Sequence, residues 1–299
     1  MAKERWSKSD VTELVNAWNN KPKGETITSF SRRLSTQQHG FYSVKGKIAW
    51  LMDEGEIEAS VPEVLFMDIE TLPIIMAGWR PYDVDALWIV RDWCVATWAA
   101  KWMGSKRMMS DSLTEAEIKR RDDKRVTKTL WHLFERADIV IAQNGKKFDI
   151  PKMNSRWWLH NYGPPSSYKI VDTLLEARLT FGQTYNSLDE LGKYLGVGGK
   201  MRTGGKYLWK DFEALDPEAR RKMVLYNERD VDLLERVYEK MRPWMKNHPA
   251  LNDAEFELCP VCGDVNRRHI GFYLAKVKRY KEYRCGNCKH IWHDGRAEK

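Results

Sequence analysis

The sequence predicts an α/β fold, in which a mixed sheet with flanking helices is accompanied by a small all-helical module at the N-terminus and a small cysteine-bearing module at the C-terminus. The nearly continuous apolar runs VLFMDIE (64–70) and DIVIAQN (138–144) are typical of strands covered on both faces. Strand-like segments come first and helical segments dominate later, which favours a sheet closed over by its last helices. The length of 299 residues suits one central domain with small appendages.

The N-terminal module, residues 1–60, alternates three helical stretches with polar breaks, and Ser7 or Ser9 is placed to cap the first stretch. The pattern resembles Myb-like and helix-turn-helix units, with residues 42–51 as the recognition helix and Lys45 and Lys47 as DNA contacts. Binding to another protein is the alternative. Seven apolar side chains would form a miniature core: Trp6, Leu14, Trp18, Phe30, Leu34, Ile48 and Leu51.

The central domain is predicted over residues 61–247 and begins with the apolar run at residues 64–70. Two further strand-like segments follow at residues 85–90 and 93–102, and a charged stretch then extends through residue 125. Helical and strand-like patterns alternate in the remainder. They are a helix (126–137), a strand (138–144), a helix (150–160), a strand (168–172) and three more helices (173–181, 187–196 and 217–244).

The chain carries a net charge of +8 and has a pI near 9.1, so its surface attracts polyanions. A nucleic acid is the favoured partner, although membrane-surface and heparin-binding proteins share such a balance. An apolar content of 42% is ample for a packed core. Because the sequence shows neither a membrane-spanning run nor a secretory signal, we expect a cytoplasmic protein of a bacterium or a virus-infected cell, without membrane association.

Two carboxylates are forced together within the segment MDIET. Asp68 and Glu70 are two residues apart on a predicted strand, so their side chains point to the same face. Two like charges at this spacing repel each other unless a cation neutralises them. A divalent metal is therefore the expected occupant.

Further acidic residues come from two distant segments. Asp149 ends the segment AQNGKKFD, directly after a predicted buried strand. The segment YNERD places Tyr226 and Asp230 four residues apart on one face of a long helix. Each of these residues alone is better explained as a surface charge, a helix cap or a packing side chain. Their joint order along the chain is what favours a common site.

The segments DIET, NGKKFD and YNERD resemble the three motifs of the DEDD exonuclease superfamily, in the branch that carries tyrosine. The resemblance implies an RNase H-like fold and a 3'-to-5' exonuclease that uses two Mg²⁺ or Mn²⁺ ions, with no small-molecule cofactor. It also implies that Asp68 bridges the ions, Glu70, Asp149 and Asp230 complete their ligands, and Tyr226 orients the attacking water. The whole chain resembles nucleases of bacterial viruses.

The resemblance further implies nucleotide contacts beside the carboxylates. Thr71 and Leu72 follow the first motif, and Asn144 and Phe148 belong to the second. Gln143 departs from the family, since a histidine is usual before this asparagine. Asp172 is tempting as a fifth metal ligand, but we predict that it caps the helix that follows it.

Three other functions remain open at this stage. The same motifs suit an exoribonuclease, because none of them senses a 2'-hydroxyl group, and the choice of DNA depends only on the N-terminal module. The same carboxylates suit a structure-specific endonuclease. A non-catalytic DNA-binding adaptor could retain the fold, although all five catalytic positions are filled.

The C-terminal module, residues 255–299, contains two Cys-x-x-Cys pairs separated by 22 residues. Four thiolates on two tight knuckles are typical of one structural Zn²⁺ ion in a zinc ribbon. Basic and aromatic residues alternate between the knuckles, so Arg279 and Lys281 are candidate nucleic-acid contacts; a solvated basic hairpin is the alternative. The four predicted zinc ligands are Cys259, Cys262, Cys285 and Cys288.

Overall fold

The computed structural model describes residues 6–21, 27–36, 39–54, 56–57, 62–80, 82, 85–246, 248–251 and 258–298. These residues divide into two compact units. The larger unit contains Val64–Phe134 and Ile139–Met241, and the other described residues form the smaller unit. The predicted boundaries at residues 61, 247 and 255 stay predictions.

The predicted three-helix pattern of the N-terminal segment is present as α1 (Lys8–Asn19), α2 (Ile27–Arg33) and α3 (Phe41–Asp53). Ser7 caps α1, because its hydroxyl accepts from the amide of Asp10. Trp18 and Phe30 meet edge to face, with ring centroids 4.8 Å apart. The buried core agrees closely with the predicted one: it contains Leu14, Trp18, Phe30, Val44, Ile48, Leu51 and Ile57, with Trp6 and Leu34 packed against it.

The larger unit contains seven strands and seven helices among its described residues. The strands are β1 (Val64–Leu72), β2 (Ile75–Ala77), β3 (Trp88–Arg91), β4 (Cys94–Trp102), β5 (Met108–Ser112), β6 (Ile139–Ala142) and β7 (Lys169–Asp172). The helices are α4 (Glu115–Arg120), α5 (Lys124–Arg136), α6 (Asp149–Leu159), α7 (Thr173–Thr180), α8 (Leu188–Tyr194), α9 (Tyr207–Glu213) and α10 (Pro217–Met241).

A five-stranded mixed sheet forms the centre of this unit, with the strand order β5-β4-β1-β6-β7. Strand β1 pairs with β4 in antiparallel fashion and with β6 in parallel fashion. Six of its nine residues are buried, because helix α10 packs across β1 and β4 and places Tyr238 edge-on to Phe66. The predicted mixed sheet with flanking helices is confirmed, and its middle strand carries Asp68 and Glu70.

Residues 103–125, which the sequence presents only as a charged stretch, contain β5 and α4. Strand β5 escapes detection because its residues, MMSDS, lie at the edge of the sheet, are all half-buried and show no regular alternation of apolar and polar side chains. The segment between β1 and β4 forms a separate two-stranded sheet of β2 and β3.

The C-terminal segment begins with a 3₁₀ turn at Arg242–Trp244 and continues as an antiparallel sheet of three strands, β8 (Arg267–Leu274), β9 (Arg279–Cys285) and β10 (Ile291–Glu298). Within the described ranges, no helix is long and apolar enough to cross a membrane.

Candidate functional site

Three carboxylates from two elements meet above the middle strand of the sheet. Asp68 and Glu70 point to one face of β1, whereas Ile69 between them is buried and 2% exposed. Asp230 comes from helix α10. One oxygen atom of each of the three side chains lies within 4.8 Å of the others. The structure therefore brings together residues that are distant in sequence, as the motifs led us to expect.

Asp230 leaves one oxygen available. Its side chain is 1% exposed, and its Oδ2 accepts a hydrogen bond of 2.6 Å from Nζ of Lys200. Its Oδ1 is buried and has no hydrogen-bond partner among the described residues. A buried carboxylate oxygen without a donor is costly, and a bound cation would satisfy it.

Asp149 lies beside this cluster but outside the group of three. It is the first residue of α6, is 2% exposed, and accepts a hydrogen bond of 3.1 Å at Oδ1 from the backbone amide of Ile69. This bond ties the start of α6 to the strand that carries the acidic pair. The charge of Asp149 also contributes to the raised pKa of Asp68.

Burial raises the pKa values of all four acids, and neighbouring carboxylates add to the effect. Burial is the main cause for Asp68, whose pKa is raised well above its usual range, with Asp149, Glu70 and Asp230 adding to the effect. Burial likewise raises the pKa of Glu70 to about 8 and that of Asp149 to about 7. The pKa of Asp230 is also raised by burial, against the opposing effect of Lys200. Without a divalent cation, this pocket holds protons near neutral pH.

Lys200 is a site residue that the sequence did not reveal. It lies in the loop between α8 and α9, and its Nζ contacts both Asp230 and the hydroxyl of Tyr226, the latter at 3.1 Å. Burial opposes the charge on Lys200, but Asp230 and Tyr226 together raise its pKa. In the sequence, Lys200 is a lysine within the glycine-rich segment GVGGKMRTGG (196–205). Such a segment is more often a surface loop than part of a site.

Close backbone packing holds this loop in place. A Cβ atom at Gly192 would lie 2.6 Å from the carbonyl oxygen of Gly198, so only glycine fits there without displacement. The backbone amide of Lys200 donates to Oδ1 of Asp189 over 2.8 Å. The backbone of Lys200 is thus anchored to helix α8, and its ammonium group is held by Tyr226 and Asp230 of α10.

Tyr226 stands one helical turn before Asp230, and Lys200 links the two side chains. Burial and the nearby charge of Asp230 raise the pKa of Tyr226 to about 12. The phenol is therefore protonated at neutral pH. It can orient a water molecule through its hydroxyl group but cannot act as a standing phenolate base.

Asn227 is a second residue that the sequence did not reveal. Its side chain is fully buried, and Nδ2 donates to Oδ2 of Asp68 over 2.6 Å. Asn227 and Asp230 are three residues apart on α10, so they share the helix face that covers β1. Asn227 lies within the motif YNERD, but its uncharged amide did not indicate a role at the site.

The expected nucleotide contacts occupy different environments. Thr71 is half-buried and follows a register shift between β1 and β4, whereas Leu72 is completely buried and offers no surface to a nucleotide in this structure. Asn144 has a left-handed backbone with φ of 61° and donates its amide to Asp172. Phe148 is 37% exposed.

Asp172 caps helix α7, as predicted. Its Oδ1 accepts from the amides of Leu174 and Leu175. The same carboxylate also accepts from the amides of Asn144 and Lys146, so it fixes the turn that leads to Asp149.

The four cysteines of the C-terminal segment converge. One sulfur atom of each lies within 4.8 Å of the others, and the Cys259–Cys288 and Cys262–Cys285 sulfur distances are 3.6 and 3.5 Å. Tetrahedral zinc with bonds of about 2.3 Å requires sulfur separations of about 3.8 Å, so this group fits a zinc ion. Cys94 is separate, because it is buried in β4 and burial raises its pKa to about 12.

Two of the basic residues expected to contact nucleic acid, Arg279 and Lys47, lie over aromatic rings. The guanidinium of Arg279 is 4.7 Å from the ring centroid of Phe272, and Lys281 is exposed on the same strand. In helix α3, Nζ of Lys47 is 3.5 Å from the ring centroid of Trp50. The side chain of Lys45 lies outside the described part of the structure.

The fold is RNase H-like, as predicted: a model of the RNase H superfamily matches residues 103–242, which include Asp149, Tyr226 and Asp230 but begin after Asp68 and Glu70. The match supports a nuclease. Among solved structures, the chain is similar to the family B DNA polymerase from the hyperthermophilic archaeon Pyrobaculum calidifontis, with 18% identity and a TM-score of 0.44. That similarity covers 75% of this chain and 32% of the polymerase. No curated protein matches the sequence.

Proposed function

We propose that this RNase H-like chain is a metal-dependent 3'-to-5' exonuclease that hydrolyses phosphodiester bonds of DNA. The observation that carries the proposal is the convergence of Asp68, Glu70 and Asp230 within 4.8 Å, with Asp149 beside them. The raised pKa values mean that the ionised form of these four acids is unfavourable at neutral pH. Divalent cations would offset the repulsion between the carboxylates.

The donor set fits Mg²⁺ or Mn²⁺. Within the part of the chain that the structure describes, the ligand atoms that converge here are carboxylate oxygens, which these hard cations prefer, and Oδ1 of Asp230 is buried without a donor. We assign the metal-binding role to Asp68, Glu70, Asp149 and Asp230. When bound, two ions would supply an activated water and stabilise the charge that develops on the phosphate.

The neighbouring side chains have distinct roles in this proposal. Tyr226, a protonated phenol, orients the attacking water through its hydroxyl group. Lys200 places a positive charge 2.6 Å from Asp230, where it can also contact a phosphate oxygen of the substrate. Asn227 holds Oδ2 of Asp68 and thereby fixes the orientation of a carboxylate that would bind metal.

The remaining modules are proposed to deliver DNA to this site. The cysteine cluster is proposed to hold one structural Zn²⁺ ion, which stabilises the sheet that carries Arg279 and Lys281. The N-terminal helices are proposed to bind duplex DNA through α3, where Lys47 is half-buried over Trp50. The basic net charge of the chain favours both roles.

The test is a cleavage assay with purified protein, Mg²⁺ or Mn²⁺, and end-labelled single-stranded and duplex forms of DNA and RNA. Asp230→Asn should abolish cleavage. The matched control is Asp232→Asn, because Asp232 lies on the same helix but forms a surface ion pair with Arg236. Shortening of DNA from the 3' end, lost in Asp230→Asn and retained in Asp232→Asn, supports the proposal.

Each alternative has its own outcome in this assay. Shortening of RNA in preference to DNA would identify an exoribonuclease. Internal cuts on strands with blocked 3' ends would identify an endonuclease. Binding without cleavage of any polymer would contradict the enzymatic proposal and favour an adaptor.

A further inference from the structure

A two-stranded arm leaves the central sheet directly after the acidic strand. Strand β1 ends at Leu72, and the arm, residues 73–92, contains β2 and β3 before the chain enters β4. The arm's strands pair with each other in antiparallel fashion and form a sheet of their own. The acidic pair of β1 is therefore only a few residues from the root of the arm.

The root is firmly held. Nη1 of Arg121 donates to the carbonyl oxygens of Pro73, at 2.6 Å, and Asp92, at 2.8 Å, so one guanidinium group joins both ends of the arm. Arg121 also forms an ion pair with Glu213, and its side chain is 8% exposed. These contacts at the base of the arm are polar, and they do not cover the exposed apolar side chains of the arm.

Those side chains are exposed to a degree that is unusual for their size. Trp79 is 83% exposed, Tyr82 92% and Trp88 62%. A contiguous exposed apolar surface commonly marks a binding site, because leaving it in water is unfavourable. The other large hydrophobic residues exposed on the arm are Ile74, Met76, Leu87, Ile89 and Val90.

An aromatic and basic surface connects the arm with the acidic pocket. Trp93 follows the root of the arm, and Nζ of Lys152 lies 3.8 Å from its ring centroid. The same Nζ lies 5.3 Å from the ring centroid of Phe148, the residue before Asp149. Phe148, Lys152 and Trp93 thus form a path that joins the residue before Asp149 to the residue after the arm.

We infer that the arm binds the single-stranded part of a nucleic-acid substrate, with bases stacked on Trp79, Tyr82 and Trp88 and a phosphate near Lys152. This inference rests on the proposed function, because it extends the same site. A nucleic acid suits the surface better than a protein partner does, since planar rings bind bases of any sequence and the path ends at the pocket that would cut the strand.

The first test measures binding, which does not require cleavage. Trp79→Ser, Tyr82→Ser and Trp88→Ser are combined in one variant, and the anisotropy of labelled single-stranded DNA is followed without added divalent cations. The expected result is an affinity at least ~10-fold weaker for strands of about 16 nucleotides. Trp158→Ser is the matched control, because Trp158 is 84% exposed on α6, outside the arm and the path. It should bind as the unsubstituted chain does.

A second measurement locates the strand. Single-stranded DNA that carries a photoreactive 5-iodouracil at successive positions should cross-link to Trp79, Tyr82 or Trp88 at positions several nucleotides from the 3' end. Thermal unfolding of the variant should match that of the unsubstituted chain.

The inference is overturned if the triple variant binds long strands as well as the unsubstituted chain does, or if Trp158→Ser weakens binding equally. It is also overturned if the triple variant loses self-association in sedimentation while its DNA affinity is unchanged, since the arm would then be a protein interface. Failure of the proposed function looks different: no strand is cut, whatever the arm binds.

Discussion

The side-chain amide of Asn227 donates from Nδ2 to Oδ2 of Asp68 over 2.6 Å and joins helix α10 to the middle strand of the sheet. Because this bond fixes the orientation of a proposed metal ligand, Asn227→Ala should weaken Mg²⁺ activation by about 10- to 100-fold. The measurement is the Mg²⁺ concentration that gives half-maximal cleavage.

Glu228→Gln is the control for this variant, because Glu228 is the next residue on α10 and accepts instead from the hydroxyl of Ser110. Its Mg²⁺ dependence should be that of the unsubstituted chain. If Asn227→Ala loses stability but keeps its Mg²⁺ dependence, the amide serves packing alone.

The position of Lys200 predicts an effect on kcat rather than on Mg²⁺ activation. Removal of its charge by Lys200→Met should lower kcat by about 100-fold, since a preorganised cation beside the reacting phosphate is lost. The Mg²⁺ requirement should not rise, because Lys200 pairs with Asp230 and therefore competes with the metal. Lys193→Met, which removes a half-exposed lysine of α8, should leave both quantities unchanged. A weaker Mg²⁺ response in Lys200→Met would contradict this role.

The raised pKa values of the acids predict how stability depends on pH in chelated protein. Glu70 has a folded-state pKa of about 8 against an ordinary value of 4.5, so the folded state holds a proton that the unfolded state releases. The contribution of Glu70 to the free energy of unfolding is complete below about pH 4.5 and declines as pH rises towards 8. The Tm should fall over that range, and Mg²⁺ should restore it most at pH 8.

Glu70→Gln should flatten this dependence, whereas Glu190→Gln, at a surface carboxylate of α8, should not. An identical Mg²⁺ effect on Tm at both ends of the pH range would argue against a metal bound by these acids.

The cysteine cluster predicts one bound Zn²⁺ ion per chain. Cys285→Ser should lose the metal and the cooperative unfolding of the C-terminal sheet, since a structural zinc site supplies much of the stability of so small a core. Cys94→Ser should keep the metal, because Cys94 is buried in β4, away from the cluster. Metal analysis of the purified variants decides, and full zinc content in Cys285→Ser would refute the assignment.

A buried charge network predicts a large loss of stability. Asp123 is 0% exposed and accepts from Arg156 at 2.6 Å and from the amide of Val95 at 2.8 Å, and its Oδ1 lies 2.7 Å from Nε2 of His160. Asp123→Ala should cost ~3–5 kcal/mol in the free energy of unfolding, because the Arg156 charge stays buried without its partner. Denaturant titration measures this loss.

The surface pair of Asp232 and Arg236 gives the contrast. Both side chains are more than one third exposed, so Asp232→Ala should cost no more than ~1 kcal/mol. Equal losses for the two variants would mean that burial does not govern the Asp123 network.

The sequence predicts the site's acids better than their surroundings. Asp68 and Glu70 could be placed on one face because alternation along a strand has a fixed period, and Tyr226 and Asp230 because helical periodicity is equally fixed. The convergence of these pairs depends on how α10 packs across β1, which no local pattern encodes. The motifs supplied that information only through resemblance.

Lys200 and Asn227 escaped prediction for a physical reason. A lysine in a glycine-rich loop has no preferred neighbour until the close approach of Gly192 and Gly198 fixes the loop. The burial of Asn227 follows from the rotation of α10 about its axis, and the sequence pattern leaves that rotation ambiguous. Strand β5 was missed because its residues, MMSDS, show no regular apolar alternation, and β2 because it is only three residues long. The segment predicted at residues 85–90 corresponds to β3.

The hydrogen bond between Asn227 and Asp68 spans 159 positions of the chain. During synthesis, the middle strand therefore leaves the ribosome long before the helix that supplies Asn227, Tyr226 and Asp230. A nascent chain that still lacks α10 has the first acids but no complete pocket. The group of three acids can therefore form only after α10, the last long helix of the larger unit, has been synthesised and has packed on the sheet.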